Sequence, residues 1–297
     1  MLTDWKLQLL TELYLRARRH LTGEEASQGA AQEADRRRQR LRELAPASSQ
    51  DPWWQEQIAA LPDSYLLSDS PQRMSRTLGT LRQLGCNDAI AWSTYSNQLK
   101  ISIYFVGTYE SVTAGIFHKL AGALTGKGLQ ILSAEIHTLA NDLVLDRFFV
   151  EDPDFTGAPP DDRTDEVCDA LVRALTSDAE KAPVFRNLWS PHQGATAADY
   201  AEMPTQVRFD DATSAQFTIV TVFTYDRRGL LYSIARTLFE LDLDVHVAKI
   251  GTYLDQVVDV FYVTDRQGRK IYSQEKRNEI RKRLEEALSE ENRSRSL

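Results

Sequence analysis

The sequence predicts an α+β fold in which a helical segment is followed by two copies of one unit, each ordered strand, helix, strand, strand, helix. Three observations support this. Residues 108–152 are paralleled by residues 224–265, each copy alternates β-rich runs with segments of helical spacing, and the residues before the first copy show helical spacing interrupted by prolines. At 297 residues, 42% of them hydrophobic, the chain is long and apolar enough for more than one folded domain.

Residues 1–95 are predicted to form the helical segment. Between Trp5 and Leu21 the apolar residues recur at spacings of three and four, which predicts an amphipathic helix. Residues 72–84 have the same spacing, and Gly85 is a natural helix stop. We interpret the arginine-rich run at 36–42 as a solvated helical face rather than a targeting or nucleic-acid signal.

The repeat is visible as apolar and glycine residues that recur 114 positions apart. In the first copy they are Gly115, Leu120, Ala121, Leu124, Leu129, Ala134 and Ile136, and in the second they are Gly229, Ile234, Ala235, Leu238, Leu243, Ala248 and Ile250. A duplicated unit of this kind indicates two domains of one architecture.

Each copy is predicted element by element from its periodicity. The first copy has strands at 101–106, 130–138 and 144–150 with helices at 116–124 and 165–175; the second has strands at 217–223, 244–253 and 256–264 with helices at 230–239 and 275–288. A fourth strand at 205–209 is assigned to the first copy, and the second copy has no counterpart. Right-handed crossovers then give an antiparallel sheet with both helices on one face, the ferredoxin-like βαββαβ plan.

The predicted domains are therefore 1–95, 96–212 and 213–297. The second face of each sheet needs a cover, which the sister repeat, a second chain or the N-terminal helices can supply.

Composition excludes several classes of function. The chain has 35 Lys and Arg against 43 Asp and Glu, a formal net charge of -8, which opposes sequence-independent binding to nucleic acid. It has no secretory signal pattern and no run of the roughly 18 apolar residues that a membrane span requires. Cys86 and Cys168 are far apart, so neither a disulfide framework nor a thiolate metal site is expected. These features predict a cytoplasmic protein that binds neither nucleic acid nor membrane.

The turn at 226–231 resembles the Asp-Arg-Pro-Gly-Leu-Leu turn of ACT domains, which are small amino-acid-sensing modules. The stretches 230–238 and 255–265 are similar to the last ACT domain of the uridylyltransferase and uridylyl-removing enzymes that act on the PII protein. Residues 5–14 and 61–67 resemble the segment that precedes the first ACT domain of those enzymes. The resemblance therefore covers almost the whole chain, but only the C-terminal part of the family.

The catalytic motifs of that family are not found in this sequence. The Gly-Ser pair followed by two metal-binding aspartates is missing, and no His-Asp dipeptide occurs among the five histidines. We therefore predict no catalytic residues, no metal site and no cofactor. The resemblance implies a regulatory protein of nitrogen metabolism that binds an amino acid, with glutamine as the implied ligand.

The predicted ligand site consists of Asp226, Arg227, Arg228, Gly229, Leu230 and Leu231. The N–H groups of Leu230 and Leu231 at a helix start can bind a carboxylate, and Gly229 permits close approach. Asp226 can pair with an ammonium group, and the two arginines can add a fork to the carboxylate. Alternatively, Asp226 is only a helix cap that contributes about 1 kcal/mol, and the arginines are solvated.

Two neighbouring features are less informative. The first copy's turn, 110–115, is two residues longer and has no basic residue, so the pattern does not extend the site to it. His246 and Lys249 have opposite parity on the strand after the second helix, so only one of them is predicted to face a ligand.

Three functional hypotheses remain open. The chain is an amino-acid sensor, or a module that dimerises or docks on a catalytic partner without a ligand, or the regulatory half of a split uridylyltransferase. The missing fourth strand of the second copy favours docking, because it leaves a sheet position open.

Overall fold

The structure is a computed structural model that describes residues 25–45, 51–177, 205–227, 229–253 and 256–293. The predicted helix at 5–21 and residue Arg228 of the predicted site lie outside these ranges.

The described strands form one eight-stranded sheet in which every neighbouring pair is antiparallel. Its order is β1-β2-β4-β3-β7-β8-β6-β5. The strands are β1 Ile90–Ser96, β2 Ile101–Tyr109, β3 Gln130–Thr138, β4 Leu143–Glu151, β5 Gln206–Asp210, β6 Thr218–Tyr225, β7 Leu243–Tyr253 and β8 Gln256–Asp265.

The described helices flank this sheet. They are α1 Glu25–Leu44, α2 Pro52–Ala60, α3 Asp63–Ser68, α4 Pro71–Leu81, α5 Ile116–Gly126, α6 Asp161–Thr176, α7 Leu230–Glu240 and α8 Gln274–Arg293. Proline at the first position of α2 and of α4 fixes the helical φ angle, and Asp51 and Ser70 cap these two helices with their side chains. The α+β class and the strand and helix positions of both copies are confirmed.

The fourth strand of each unit precedes the unit, which differs from the prediction. Strand β5 pairs with β6 of the second copy, so its assignment to the first copy is wrong. The first copy is completed instead by β1, which pairs with β2 and which the sequence analysis left in the helical segment. The sheet position that the sequence analysis left open in the second unit is therefore occupied by β5. The division at 95 and 212 remains a proposal, and each boundary moves back by one strand if β1 and β5 are counted with their units.

The two units join at the centre of the sheet. Strands β3 and β7 pair through Ser133 with Lys249, Ala134 with Ala248, and Glu135 with Val247. Ala134 and Ala248 are equivalent residues of the repeat, and both have no exposed surface. Equivalent residues that face each other indicate an approximate two-fold relation between the units.

The helices of the two units cover one face of the sheet and enclose a shared core. Its buried residues come from β2 to β8 and from α5 to α8, with Tyr104, Phe148, Phe261 and Leu284 among those fully buried. Burial of such side chains contributes roughly 1.5–3 kcal/mol each. The shared core places the helix starts of α5 and α7 above the sheet.

The opposite face of the first unit is covered by α1 to α4. Ile58, Leu66 and Leu78 from these helices pack with Phe105 and Leu145 of the sheet. Of the three covers that the sequence left open, the N-terminal helices supply this one. Two arginines of the run at 36–42 are not simply solvated, because Arg37 donates to the carbonyls of Leu66, Leu67 and Asp69, and Arg38 donates to Asp63.

Within the described ranges, every helix is too short or too polar to cross a bilayer.

Candidate functional site

The turn between β6 and α7 is the predicted ligand site, and its backbone explains its glycine. Asp226 is exposed and Arg227 is half-buried. Gly229, at φ 72°, is in the left-handed conformation that favours glycine, and α7 begins at the next residue. The residues Asp226, Arg227, Gly229, Leu230 and Leu231 thus follow one another at the start of an 11-residue helix.

One of the two amides expected to bind a carboxylate already has a partner. The N–H of Leu230 donates to the carbonyl of Arg227 at 3.1 Å, and the side chains of Leu230 and Leu231 are buried. The expectation that Leu230 offers an open amide is therefore wrong for this conformation, and a carboxylate at this turn must be bound by other groups of the turn.

A buried carboxylate, Asp259, belongs to the same region and was missed by sequence reasoning. It lies on β8 opposite Val222 of β6 and Ile250 of β7, and its exposed fraction is 0%. Burial raises its pKa well above the usual value, and the charge of Asp226 raises it further. The signal was present, since Asp259 interrupts an alternating row of apolar residues, Val257, Phe261 and Val263.

The first unit has the same arrangement at the start of α5. Gly115 is left-handed at φ 71°, and the exposed Glu110 occupies the place of Asp226. The hydroxyl of Thr138 donates to Glu110 at 2.8 Å. Asp146 of β4 corresponds to Asp259 and is also 0% exposed. Burial, aided by the charge of Glu110, raises the pKa of Asp146 to about 8.

Residues at and after the first unit's turn interact with the second unit. The ring centroid of His118 in α5 lies 5.9 Å from that of Tyr232 and 5.1 Å from that of Phe239, both in α7. Asp244 at the start of β7 has a raised pKa because of desolvation and the charge of Glu110. Glu110 therefore acts on carboxylates in both units.

His246 and Lys249 do not have the opposite orientations that simple alternation predicts. A β-bulge between Val245 and Val247 shifts the register, and Val245 and Ala248 both join the core between the sheet and helices α5 to α8, which we call the helix-side core. His246 and Lys249 are thereby placed on the opposite face of the sheet, which we call the outer face. His246 shares a 2.9 Å hydrogen bond with Thr264, and burial, together with the charge of His137, lowers its pKa to about 4.

Two cavities in the described part of the chain lie away from both turns. One, of about 710 Å³, is lined by α1 and the start of α4 and includes Arg36, Arg37, Arg40 and Arg73. The other, of about 190 Å³, lies at the end of the first unit's sheet near Lys100 and Asp152. Among the described residues, no group of three or more His, Cys, Asp or Glu is placed to hold a metal ion.

Comparison with known proteins agrees with this fold. Residues 206–294 match the family model of the ACR9-like, ACT-like domain. The second unit is ACT-like. The predicted ferredoxin-like architecture is confirmed by this match together with the antiparallel sheet.

Similar proteins extend the likeness to nearly the whole chain. A bifunctional uridylyltransferase/uridylyl-removing enzyme of Azospirillum brasilense is 29% identical over 97% of this chain and 30% of its own length. The enzyme of the same name from Rhodospirillum rubrum is 30% identical over 97% of this chain and 30% of its own. That of Novosphingobium aromaticivorans is 36% identical over 59% of this chain and 19% of its own.

The predicted resemblance to the C-terminal region of these enzymes is therefore confirmed. Nearly the whole of this chain matches, and it spans about 30% of the length of these two relatives.

Proposed function

We propose that this chain is a regulatory module that binds an amino acid, with glutamine as its ligand, in the control of nitrogen metabolism. The observation that carries the proposal is the pair of equivalent helix starts, each beside the junction of two ACT-like units, in a chain similar to a C-terminal part of uridylyltransferases. The family resemblance supplies glutamine as the candidate.

The chemistry of the β6–α7 turn supports this ligand class. Asp226 provides a carboxylate for an ammonium group, and the positive end of α7 favours a carboxylate nearby. Gly229 allows the ligand to approach the backbone closely. A zwitterion fits this combination better than an anion or a cation alone.

Regulation by such a ligand depends on differential affinity. Suppose that α5 and α7 can pack in two arrangements. A ligand beside the junction then shifts the balance between them only by the difference in its binding free energy for the two. His118 of α5 links the two helices directly through its contacts with Tyr232 and Phe239 of α7.

Isothermal titration with each of the twenty amino acids tests the proposal. We expect glutamine to bind, and we expect Asp226→Ala to weaken its binding at least about tenfold through loss of a charge-assisted contact. Asp169→Ala is the matched control, since Asp169 is an exposed acid on α6, with 72% of its side chain accessible. No binding by any amino acid would refute amino-acid sensing.

The reaction under control is also part of the proposal. Because the relatives that it matches are uridylyltransferase/uridylyl-removing enzymes, we propose that this chain regulates uridylyl transfer. A uridylyl-transfer assay with PII and this chain alone should show no turnover. Clear turnover would contradict the regulatory assignment.

Docking without a ligand is a second candidate, and one observation favours it. The outer face of the second unit's sheet carries Phe223, Val258 and Tyr262, with Val258 39% exposed. The cluster formed by α1 to α4 includes sheet residues of the first unit and none of β5 to β8. Light scattering after size exclusion tests this candidate, and a monomer that responds to glutamine would favour sensing instead.

A further inference from the structure

Two fully buried aspartates occupy equivalent places in the two units. Asp146 lies opposite Val106 of β2 and Ile136 of β3, and Asp259 lies opposite Val222 of β6 and Ile250 of β7. Each has an exposed fraction of 0%. The same residue type at the same place in both copies indicates a shared role rather than an accident of packing.

Neither aspartate has a hydrogen-bond partner among the described residues, and this holds for both oxygens of each carboxyl group. The backbone N–H groups of His137 and Gly251 act to lower the two pKa values, but they do not reach hydrogen-bonding geometry. A buried polar group without a partner costs about 1–3 kcal/mol, and a buried charge costs more. Two such groups need a functional explanation.

Both carboxyl groups point to the helix side of the sheet, toward the starts of α5 and α7. Their neighbours of the same parity, Phe148 and Phe261, belong to the helix-side core. The charge of Glu110 acts on Asp146, and that of Asp226 acts on Asp259. Each helix start therefore combines an exposed acid at the turn with a buried acid beneath it.

The other charged groups on the strands and helices around each buried aspartate do not cancel the negative charge of Glu110 or Asp226 beside it. For Asp146 they are Glu110 after β2 and His118 and Lys119 in α5, and Lys119 donates to the hydroxyl of Thr113. Strand β3 directs Glu135 and His137 to the opposite face, where Glu135 accepts a hydrogen bond from Arg147 and lies 3.6 Å from His137.

The second unit repeats this composition around Asp259. Asp226 and Arg227 follow β6, Tyr232 and Arg236 lie in α7, and Arg236 is bonded to Glu240. Strand β7 contributes the backbone of Gly251, while Lys249 lies on the outer face.

We propose that Asp146 and Asp259, each together with the exposed acid of its turn (Glu110 or Asp226), are the ammonium acceptors of two equivalent ligand sites, one under the start of α5 and one under the start of α7. This inference rests on the proposed amino-acid binding and adds to it a second site, in the first unit, and a named acceptor in each. An organic ammonium group fits better than a metal ion, because no described cluster has the ligands for a metal.

Binding at each site releases a proton. In the free protein the aspartate is a neutral carboxylic acid; when the ligand's ammonium group arrives, the O–H bond breaks, the proton leaves to solvent, and the carboxylate accepts N–H hydrogen bonds. Affinity therefore rises with pH, by up to about tenfold per unit, between the pKa of the aspartate in the complex and its pKa in the free protein. The rise ends where the ligand's own ammonium group deprotonates.

Calorimetric titration of the full chain with L-glutamine tests the proposal. At one pH, measured in two buffers of different ionisation enthalpy, we expect two ligands per chain and a proton released for each. Asp146→Asn and Asp259→Asn should each remove one site and its proton. Asparagine is nearly isosteric with the neutral acid, so both variants are expected to fold, which circular dichroism verifies.

Two controls separate the ammonium contact from other effects. Asp169→Asn, on the exposed face of α6, should keep both sites and both protons. Glutaramic acid, which is glutamine without its α-amino group, should release no proton and should bind at least tenfold more weakly.

The failures of this inference and of the proposed function are distinguishable. Glutamine binding without proton release, or binding that both asparagine variants retain, would overturn the role of the two aspartates and leave amino-acid sensing standing. The absence of binding by glutamine and by every other amino acid would overturn both the role of the two aspartates and amino-acid sensing.

Discussion

Arg147 of β4 lies between the sheet and the helices that cover the first unit, with only 3% of its surface exposed. Its guanidinium donates to Glu135 and, at 2.6 Å, to the hydroxyl of Ser68, and it lies 4.3 Å from the ring centre of Tyr65. Desolvation acts to raise the pKa of Glu135, but His137 and Arg147 outweigh it and hold that pKa at about 2. One arginine thus compensates a partly buried acid and contacts two residues of helix α3.

We predict that Arg147→Met lowers the free energy of unfolding by about 3 kcal/mol, because it leaves Glu135 without its arginine partner and removes one of the two arginines that pair with Asp69. Urea denaturation measures this. Arg173→Met is the control: Arg173 pairs with Asp169 at 3.8 Å with 62% of its side chain exposed, and we expect a change below about 0.5 kcal/mol. Equal effects of the two changes would contradict a role for burial.

The pH dependence of stability should separate Asp146 from Glu135. A carboxyl whose pKa is raised to about 8 keeps its proton in the folded state, while the unfolded chain loses it near pH 4. Stability therefore falls as pH rises between these values, by up to about 1.4 kcal/mol per unit. Asp146→Asn should remove this contribution to the fall, so the free energy of unfolding of the variant should rise relative to that of the wild type toward pH 8. A constant difference across the range would show that Asp146 is already ionised.

Glu135 should act in the opposite direction. Its pKa of about 2 lies below the unfolded value, so its contribution to stability is present above about pH 4.5 and is lost as the pH falls toward 2. Glu135→Gln should flatten the acid limb of the stability curve from urea denaturation and leave the limb above pH 6 unchanged. A steep acid limb that the variant retains would assign acid unfolding to other carboxylates.

The elements of the two units begin and end at residues whose backbone requirements are visible in the structure. Gly115 precedes α5 in the left-handed conformation, and a Cβ placed on it would lie 2.1 Å from the ring of His118. Gly79 is inside α4 with no atom within 4 Å of such a Cβ. The two glycines therefore differ in both conformation and space.

We predict opposite effects of alanine at these positions. Gly115→Ala should destabilise the protein by about 1–3 kcal/mol, since both the positive φ and the displaced His118 oppose it. Gly79→Ala should stabilise it by about 0.5–1 kcal/mol through higher helix propensity. Thermal and urea unfolding measure both. Destabilisation by Gly79→Ala would contradict the prediction that α4 has room for a methyl group at this position.

At the scale of the whole molecule, one sheet and one helix-side core join the two units. At the junction β3 pairs with β7 through three residue pairs, and α5 packs against α7 above them. The first unit also shares its sheet with the N-terminal helices through Phe105 and Leu145. A substitution that destabilises the second unit should therefore also destabilise the first.

We predict that Leu284→Ala in α8, a fully buried position of the second unit, lowers stability by about 2–5 kcal/mol and does so for both units together. The fluorescence of Trp53, Trp54 and Trp92, with Trp5 and Trp189 replaced by phenylalanine, reports on the first half of the chain. Its unfolding midpoint should shift as far as that from far-ultraviolet circular dichroism. A shift in the dichroism alone would show that the units unfold separately.

The sequence by itself determined the repeat, the class of fold and the strands and helices of both copies. It did so because apolar spacing of two or of three and four residues is a local property of the chain, and because Gly115 and Gly229 mark the same turn twice. It also determined the resemblance to the C-terminal region of the uridylyltransferases, since Asp226 to Leu231 and the strand around Asp259 are continuous in sequence.

Only the tertiary structure decided which strand joins which unit, because β1 and β5 are edge strands whose partners depend on long-range pairing. It also decided that His246 and Lys249 share a face, through a bulge that periodicity does not reveal. Above all, it showed that Asp146 and Asp259 are buried without partners under two helix starts. An aspartate in a strand looks the same in sequence whether water or a protein core surrounds it, and only packing distinguishes these cases.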